Sequence, residues 1–275
     1  MASSVAVYRT GGPGDAENAA EQRSGDVDVI VSMGGDGTFR EVLNGANPDE
    51  CCLAVLPTGT GNVLAGELGL SGNPLENLEH LVGGAVIDFD VGICNDEKFA
   101  AVFGAGIDAE VVRRVEARRQ RHMSQLGYVP SLLNLALDLP RWSLEMEADG
   151  RTIARNANVI VAGNTATYGG PVQFTPLADP CDGMLDVAMM RLASVLDLPG
   201  AAFSLLLKCT DRWGRTEYLR EARFTVTAEE QVPYQLDGDF AGWLPADVKC
   251  IPGGIRLLAP AAFCRQHGGV GRCPK

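Results

Sequence analysis

The first ninety or so residues alternate short apolar, β-branched runs with amphipathic stretches. Residues 5–8 form an apolar run that predicts a strand. The segment Thr10-Gly11-Gly12-Pro13-Gly14 follows as a loop, and Asp15 is placed to cap a helix over 16–22. Residues 28–33 predict the next strand and 38–45 its helix. Residues 52–56 predict another strand, stopped by Pro57, and 63–68 and 74–81 predict helices, the second opened by Asn73-Pro74. Alternating strand and helix imply a parallel sheet with crossover helices, in which ligands sit at the carboxyl ends of the strands.

After Gly83-Gly84 the texture changes. Strand-like runs at 86–93, 99–103, 142–147, 153–162, 184–190, 223–227, 231–236 and 254–258 are punctuated by Asp149-Gly150, Asp182-Gly183 and Asp237-Gly238. This predicts a largely antiparallel second domain, with the boundary near residue 85. Two helical pieces interrupt it. Residues 109–123 carry Arg113, Arg114, Arg118, Arg119 and Arg121, read as a solvated face or a contact for phosphates. Residues 194–208 are apolar along much of their length and are expected in the core.

Composition narrows the classes. A chain of 275 residues, 46% hydrophobic, can bury one large or two ordinary cores. A net charge of −12 argues against non-specific nucleic-acid binding and polybasic attachment to anionic membranes. Eight cysteines include no CxxC pair and no ligand-like spacing with the three histidines, so they read as small buried side chains in a reducing, cytoplasmic compartment. The start, Met1-Ala2-Ser3-Ser4, has no basic region before an apolar stretch, so no signal peptide is expected. The longest apolar run, at 132–139, is too short to span a bilayer and carries Asn134 and Asp138.

Three constellations offer chemistry. Gly34-Gly35-Asp36-Gly37-Thr38 ends a strand and opens a helix, a geometry that suits phosphate; Asp36 makes sense there only if a metal or proton screens it. A second loop, Pro57-Thr58-Gly59-Thr60-Gly61-Asn62, lies one helix and one strand later. The alternative is a pair of glycine turns. Asp179-Pro180-Cys181-Asp182-Gly183-Met184 offers hard oxygen ligands for Mg²⁺ or Ca²⁺, or an ordinary turn before a strand. Asp237-Gly238-Asp239 sets two carboxylates around a glycine, as a general base with a neighbour or as a hairpin turn.

In order, these motifs, with Phe103-Gly104-Ala105-Gly106-Ile107-Asp108 and Leu185-Asp186-Val187, resemble the diacylglycerol kinase catalytic-domain superfamily, which includes bacterial and archaeal lipid kinases and sphingosine kinases. Gly-Gly-Asp-Gly-Thr also occurs in NAD kinases, but the loop at 57–62 favours lipid kinases. The resemblance implies an α/β fold of two domains. Residues 1–85 would be an α/β nucleotide-binding domain with a parallel sheet, 86–258 a mostly antiparallel β-sandwich for the lipid, and 259–275 a return to the first domain. It implies transfer of the γ-phosphate of ATP, with Mg²⁺, to a lipid hydroxyl. By motif match, Gly34, Gly35, Asp36, Gly37, Thr38 and Glu41 would hold the nucleotide with Thr10 and Thr60, and Asp90 would lie near the cleft. Asp182, with the carbonyls of Asp179 and Met184, would match a structural Mg²⁺ position. Asp239 would be the base, where the family carries glutamate, and Asp237 its support. The family begins with a strand and an Asn-Pro-x-Ser-Gly-like loop; this chain is expected to start at the second strand, leaving a sheet edge open. A non-catalytic nucleotide- or lipid-binding remnant and a soluble-substrate kinase of the NAD kinase type are the other readings. The partners implied are a lipid substrate and a transient peripheral membrane contact; nucleic acid is not expected, and a homodimer is compatible with the sequence.

Overall fold

The computed structural model describes residues 4–119, 140–169 and 172–268. The side chains of Arg118 and Arg119, residue Arg121 and the run at 132–139 lie outside what it describes.

The amino-terminal part follows the alternation of its sequence: α1 (Asp15–Arg23), β1 (Val29–Gly34), α2 (Asp36–Gly45), β2 (Cys52–Pro57), α3 (Val63–Glu67) and α4 (Pro74–Val82). β1 and β2 are parallel, with Gly34 opposite Pro57, so the two glycine loops leave the sheet side by side. On α2, Phe39, Val42 and Leu43 stand at i, i+3 and i+4 and are buried; burying each stabilises the fold by about 1.5–3 kcal/mol. That anchoring fixes where Arg40 and Glu41, on the flank of the same helix, project.

Two expectations fail here. Residues 5–8 form no strand, and Val5, Val7 and Tyr8 are exposed. A run this short becomes a strand only where a neighbour supplies hydrogen bonds, and among the described residues β1 pairs with β2 alone. Nor does Asp15 cap α1. The cap position is Gly14, in the left-handed region at φ 84°. The helix start is instead held by Glu41, whose carboxylate accepts from Gly14 N at 2.9 Å and Ala16 N at 3.1 Å.

The rest of the chain supplies β3 (Ala85–Cys94), β4 (Glu97–Phe99), β5 (Val102–Gly106), α5 (Ile107–Arg119), β6 (Leu144–Ala148), β7 (Arg151–Ala157), β8 (Val159–Gly163), β9 (Leu185–Met190), α6 (Leu198–Leu206), β10 (Thr216–Glu221), β11 (Arg223–Ala228), β12 (Pro233–Leu236), β13 (Asp239–Trp243), β14 (Ala246–Ala259) and α7 (Ala261–Gln266). Six strands, in the order β10-β9-β8-β5-β12-β13, form an antiparallel sheet. It packs on β6, β11 and β14 of the other sheet through a core that includes Phe103, Met146, Ile160, Leu185, Phe224 and Val248. Among the described residues that other sheet has eight strands and contains β1 and β2 as well. β14 joins the two halves: it lies antiparallel to β3 and β11 and, past an irregularity between Ile251 and Ile255, places Leu257 parallel to Leu53 of β2. A second core, with Phe39, Leu43, Leu53, Phe89 and Leu257, receives Phe263 and Cys264 from α7.

α6 differs from its expectation as a core helix. Leu198 and Leu205 pack inward, but Phe203, Leu206 and Leu207 are exposed.

Candidate active site

The two glycine loops touch. Thr58 N donates to Gly34 O at 2.9 Å, and a Cβ on Gly59 would stand 2.5 Å from Gly35 Cα, so this approach admits no side chain. α2 begins at Asp36 with no side-chain cap, and the first N–H groups of a helix have no acceptor within it. Thr10 and Thr60 are exposed, and Gly34, Gly35, Gly37 and Thr38 are half-buried. A Cβ on Gly34 would lie 2.6 Å from the Thr38 side chain.

Asp36 bridges the loops. Its Oδ1 accepts from Leu64 N at 3.3 Å, which caps α3 just beyond the second loop. Burial pushes its carboxyl up, against backbone hydrogen bonds at Val63 and Leu64 that pull it down. Glu41, expected at the nucleotide, has both carboxylate oxygens on the start of α1.

The turn between β12 and β13 brings the two acids of Asp237-Gly238-Asp239 to different places. Asp237 is buried. Its Oδ1 accepts from Ala101 N at 2.8 Å and Val102 N at 2.9 Å, and its Oδ2 from Ala100 N at 2.8 Å. Burial pushes its carboxyl up to about 6 despite these donors. Asp237 therefore clamps the turn to the start of β5. Asp239 is 41% exposed at its side chain and faces the first loop: its Oδ2 is 3.2 Å from Arg40 Nη2, and a Cβ on Gly37 would be 3.0 Å from the same oxygen.

Arg40, not singled out from the sequence, completes this corner; its Nη1 donates to Glu97 Oε1 at 2.8 Å. Its position one helical turn after Asp36 is the signal that would have found it. A second unforeseen group lies behind the turn. Gln235 Oε1 accepts from Gly238 N at 2.8 Å, Gln235 Nε2 donates to Asp108 Oδ2 at 3.1 Å, and the Tyr168 hydroxyl donates to Asp108 Oδ1. Burial pushes Asp108 up to about 6.

The Asp179–Met184 turn forms a separate corner. Asp90 belongs to it rather than to the glycine loops: its oxygens accept from Gly183 N at 2.6 Å and Gly253 N at 2.7 Å. Asp182 Oδ1 accepts from Met184 N at 3.0 Å, and its other oxygen pairs with Arg220. Asp179 Oδ1 lies 2.8 Å from His267 Nδ1. Asp186, fully buried, has an Oδ2 with no hydrogen bond, 3.5 Å from Arg220 Nε. Burial pushes the Asp90 carboxyl up, with Asp182 and Asp179 adding to the shift and the two backbone donors opposing it. Among the described residues the ligand atoms of Asp179, Cys181 and His267 lie within 4.8 Å of one another, while Asp182 is engaged by Arg220 and Asp90 by two backbone N–H groups.

Residues 2–94 match the family described as the diacylglycerol kinase catalytic domain, and residues 101–259 the family described as the YegS C-terminal NAD kinase beta sandwich-like domain. A diacylglycerol kinase of Bacillus subtilis (strain 168) is 26% identical over 266 residues, covering 95% of this chain and 88% of that protein. One from Mycobacterium tuberculosis (strain ATCC 25618 / H37Rv) is 29% identical over 274 residues, covering 93% and 84%. A crystal structure of a diacylglycerol kinase from Bacillus anthracis str. Sterne superposes with a TM-score of 0.76 at 22% identity, covering 92% of this chain and 85% of that one, which speaks for the two-part fold.

Proposed function

The chain belongs to the diacylglycerol kinase catalytic-domain superfamily, and from that premise we propose that it is an ATP-dependent lipid kinase, transferring the γ-phosphate of ATP to a hydroxyl of a diacylglycerol or a sphingoid-type lipid. One observation carries the reading: Asp239, from the second half of the chain, stands over Gly37 of the first glycine loop and beside Arg40. In this reading a base and a positive charge meet at the strand ends, where the glycine loops would receive a triphosphate.

In this reading the N–H groups of Gly34–Thr38 and those of Thr60 and Gly61 in the second loop hold the phosphates, with the exposed hydroxyls of Thr10 and Thr60 at the rim. Asp239 takes the proton of the acceptor hydroxyl as the oxygen attacks phosphorus, and Arg40 balances charge on the equatorial oxygens. Asp237 acts on the reaction only by holding the turn. Mg²⁺ bound with the nucleotide would supply charge neutralisation, and Asp36 is the carboxylate of the first loop that would hold it. A second, structural Mg²⁺ would be held by Asp182 and the main-chain carbonyls of Asp179 and Met184.

The test is transfer of label from γ-labelled ATP to a panel of lipids and to NAD, for the wild type and Asp239→Asn. Labelled lipid that is lost with Asp239→Asn is the expected result. Label on NAD alone, or equal lipid labelling by both proteins, sinks the proposal.

A further inference from the structure

α6 is apolar on two faces, and among the described residues only one of them is covered. Leu198, Ala201 and Leu205 pack against the antiparallel sheet in a cluster with Val63, Ile107 and Phe174. Phe203, Leu206 and Leu207, at i, i+3 and i+4, face outward and are 63%, 53% and 58% exposed. The helical turn ahead of it, Val195–Asp197, adds Val195 and Leu196, the latter 83% exposed. The turn is a built element: Ser194 and Asp197 form a capping box, so these side chains are held out rather than left on a loose loop. A helix that is apolar all round belongs in a core or against a membrane, and clustered exposed apolar groups mark an interaction site.

The surrounding charge says what kind. The chain as a whole carries −12. Between residues 191 and 215, however, Arg191, Lys208, Arg212 and Arg215 stand against two acids, Asp197 and Asp211. Asp197 is buried and paired with Arg215 at 3.0 Å, and Asp211 lies 3.4 Å from Arg212. Apolar anchors on a segment with an excess of basic side chains, in an acidic protein, complement the boundary between headgroups and acyl chains of an anionic bilayer. Pairing with a second copy through this face would set the same basic groups against each other. No helix among the described residues is long and apolar enough to cross a membrane, so a contact made by α6 is interfacial.

The face is also connected to the site. The cluster under α6 reaches Val63, the residue after the second glycine loop. Gln173 N donates to Leu205 O at 3.3 Å and Thr210 Oγ1 to Gln173 O at 2.9 Å, which ties α6 to the segment bearing Tyr168. In that segment Thr167 N donates to Glu67 Oε2 at 2.8 Å, on α3.

We propose that the outer face of α6 and the turn before it dock the protein on an anionic lipid bilayer. This rests on the lipid-kinase reading, which makes a bilayer the source of the acceptor, but its test does not need catalysis. Sedimentation of the full chain would be measured with vesicles of phosphatidylcholine and of phosphatidylcholine mixed with phosphatidylglycerol. The wild type should bind the mixed vesicles more tightly, and added salt should weaken the difference. The pair Leu196→Gln/Phe203→Gln should lower the partition coefficient by about a hundredfold, roughly tenfold for each lost anchor, with an unchanged melting temperature. Lys208→Gln/Arg212→Gln should lower binding to the mixed vesicles only. The proposal is overturned if the wild type ignores both vesicles, if the Leu196/Phe203 pair binds as well as wild type, or if the wild type forms a dimer that this pair abolishes while vesicles go unbound. Transfer to a dispersed short-chain diacylglycerol is read in parallel. Its absence from a wild type that binds vesicles refutes the kinase reading and leaves the docking face standing.

Discussion

Asp237 and Asp239 are two residues apart and identical in chemistry, yet the structure sets them among different partners and the proposed mechanism gives them opposite duties, which substitution separates. Asp237→Asn keeps an oxygen for Ala101 N and Val102 N but turns an amide N–H₂ onto Ala100 N, now 2.8 Å from a carboxylate oxygen. One buried donor is left unsatisfied against another, a loss of about 1–3 kcal/mol. Removing a carboxylate that burial already disfavours, with its carboxyl pushed up to about 6, returns part of that. The net is about 2 kcal/mol, which in a chain of this size lowers the melting temperature by roughly 4–8 °C. Asp239→Asn removes a half-exposed partner of Arg40, which keeps Glu97 at 2.8 Å; a surface pair of this kind is worth under about 1 kcal/mol, so melting shifts by no more than about 3 °C. Phosphate transfer by Asp239→Asn falls about 10²–10⁴-fold. Differential scanning fluorimetry and a labelled-ATP assay on both variants read the contrast. Should Asp237→Asn melt with the wild type and lose as much activity as Asp239→Asn, then Asp237 acts at the reacting groups and the clamp is wrong.

Other outcomes follow from the same geometry. Gly59→Ala puts a methyl 2.5 Å from Gly35 Cα; forcing the loops apart should raise the KM for ATP and cut turnover about a hundredfold, and unchanged kinetics would show that the contact is not needed. Burial holds Asp108 up at about 6, above its ordinary 3.8. A raised folded pKa gives stability that is complete below about pH 4 and lost as pH rises through about 6. Asp108→Asn should therefore flatten the melting-temperature profile across that window, and an unaltered slope would contradict it. Mg²⁺ should raise the melting temperature of the wild type through linkage and leave Asp182→Asn unmoved; equal shifts would remove the cation from that turn.

The strand–helix alternation and both glycine loops were legible because their signals are local: a β-branched run, a glycine, a helix start. The sandwich strands were legible as runs but not as boundaries. Residues 153–162 read as one strand and split at Asn158, whose side chain is tied to Leu192 instead. β10 and β13 carry too many polar or small residues to read as strands and exist because β9 and β12 lie beside them. The duties of the acids were least legible. Asp237 holds backbone more than 130 residues away, and Glu41 holds the start of α1, 25 residues back. Sequence shows that a carboxylate is present, not which donors the fold brings to it. For α6 the composition was read correctly and its consequence was not, since apolar content says nothing of which face another element covers.

One hydrogen-bonded route joins the two acidic corners and would give a cation at Asp182 a bearing on a reaction it does not touch. Asp90 holds Gly183 N, in the turn that carries Asp182, and Gly253 N, in the bend where β14 leaves the sandwich for β2. Asn164 Nδ2 donates to Asp90 O and to Ala100 O, both at 2.8 Å. Ala100 N is in turn one of the three donors on Asp237, which sets the turn bearing Asp239. The links through Asn164 and Asp237 are buried and those from Asp90 to Gly183 and Gly253 part-buried; in a packed interior a misplaced partner is costly and geometry is transmitted rather than absorbed. Loosening the Asp182 turn therefore acts on the position of the base and not on the nucleotide loops, whose contacts run through Gly34, Thr58 and Asp36. Loss of the cation should lower kcat while the KM for ATP stays near its wild-type value; a matching rise in that KM would mean that the two corners communicate through the loops instead.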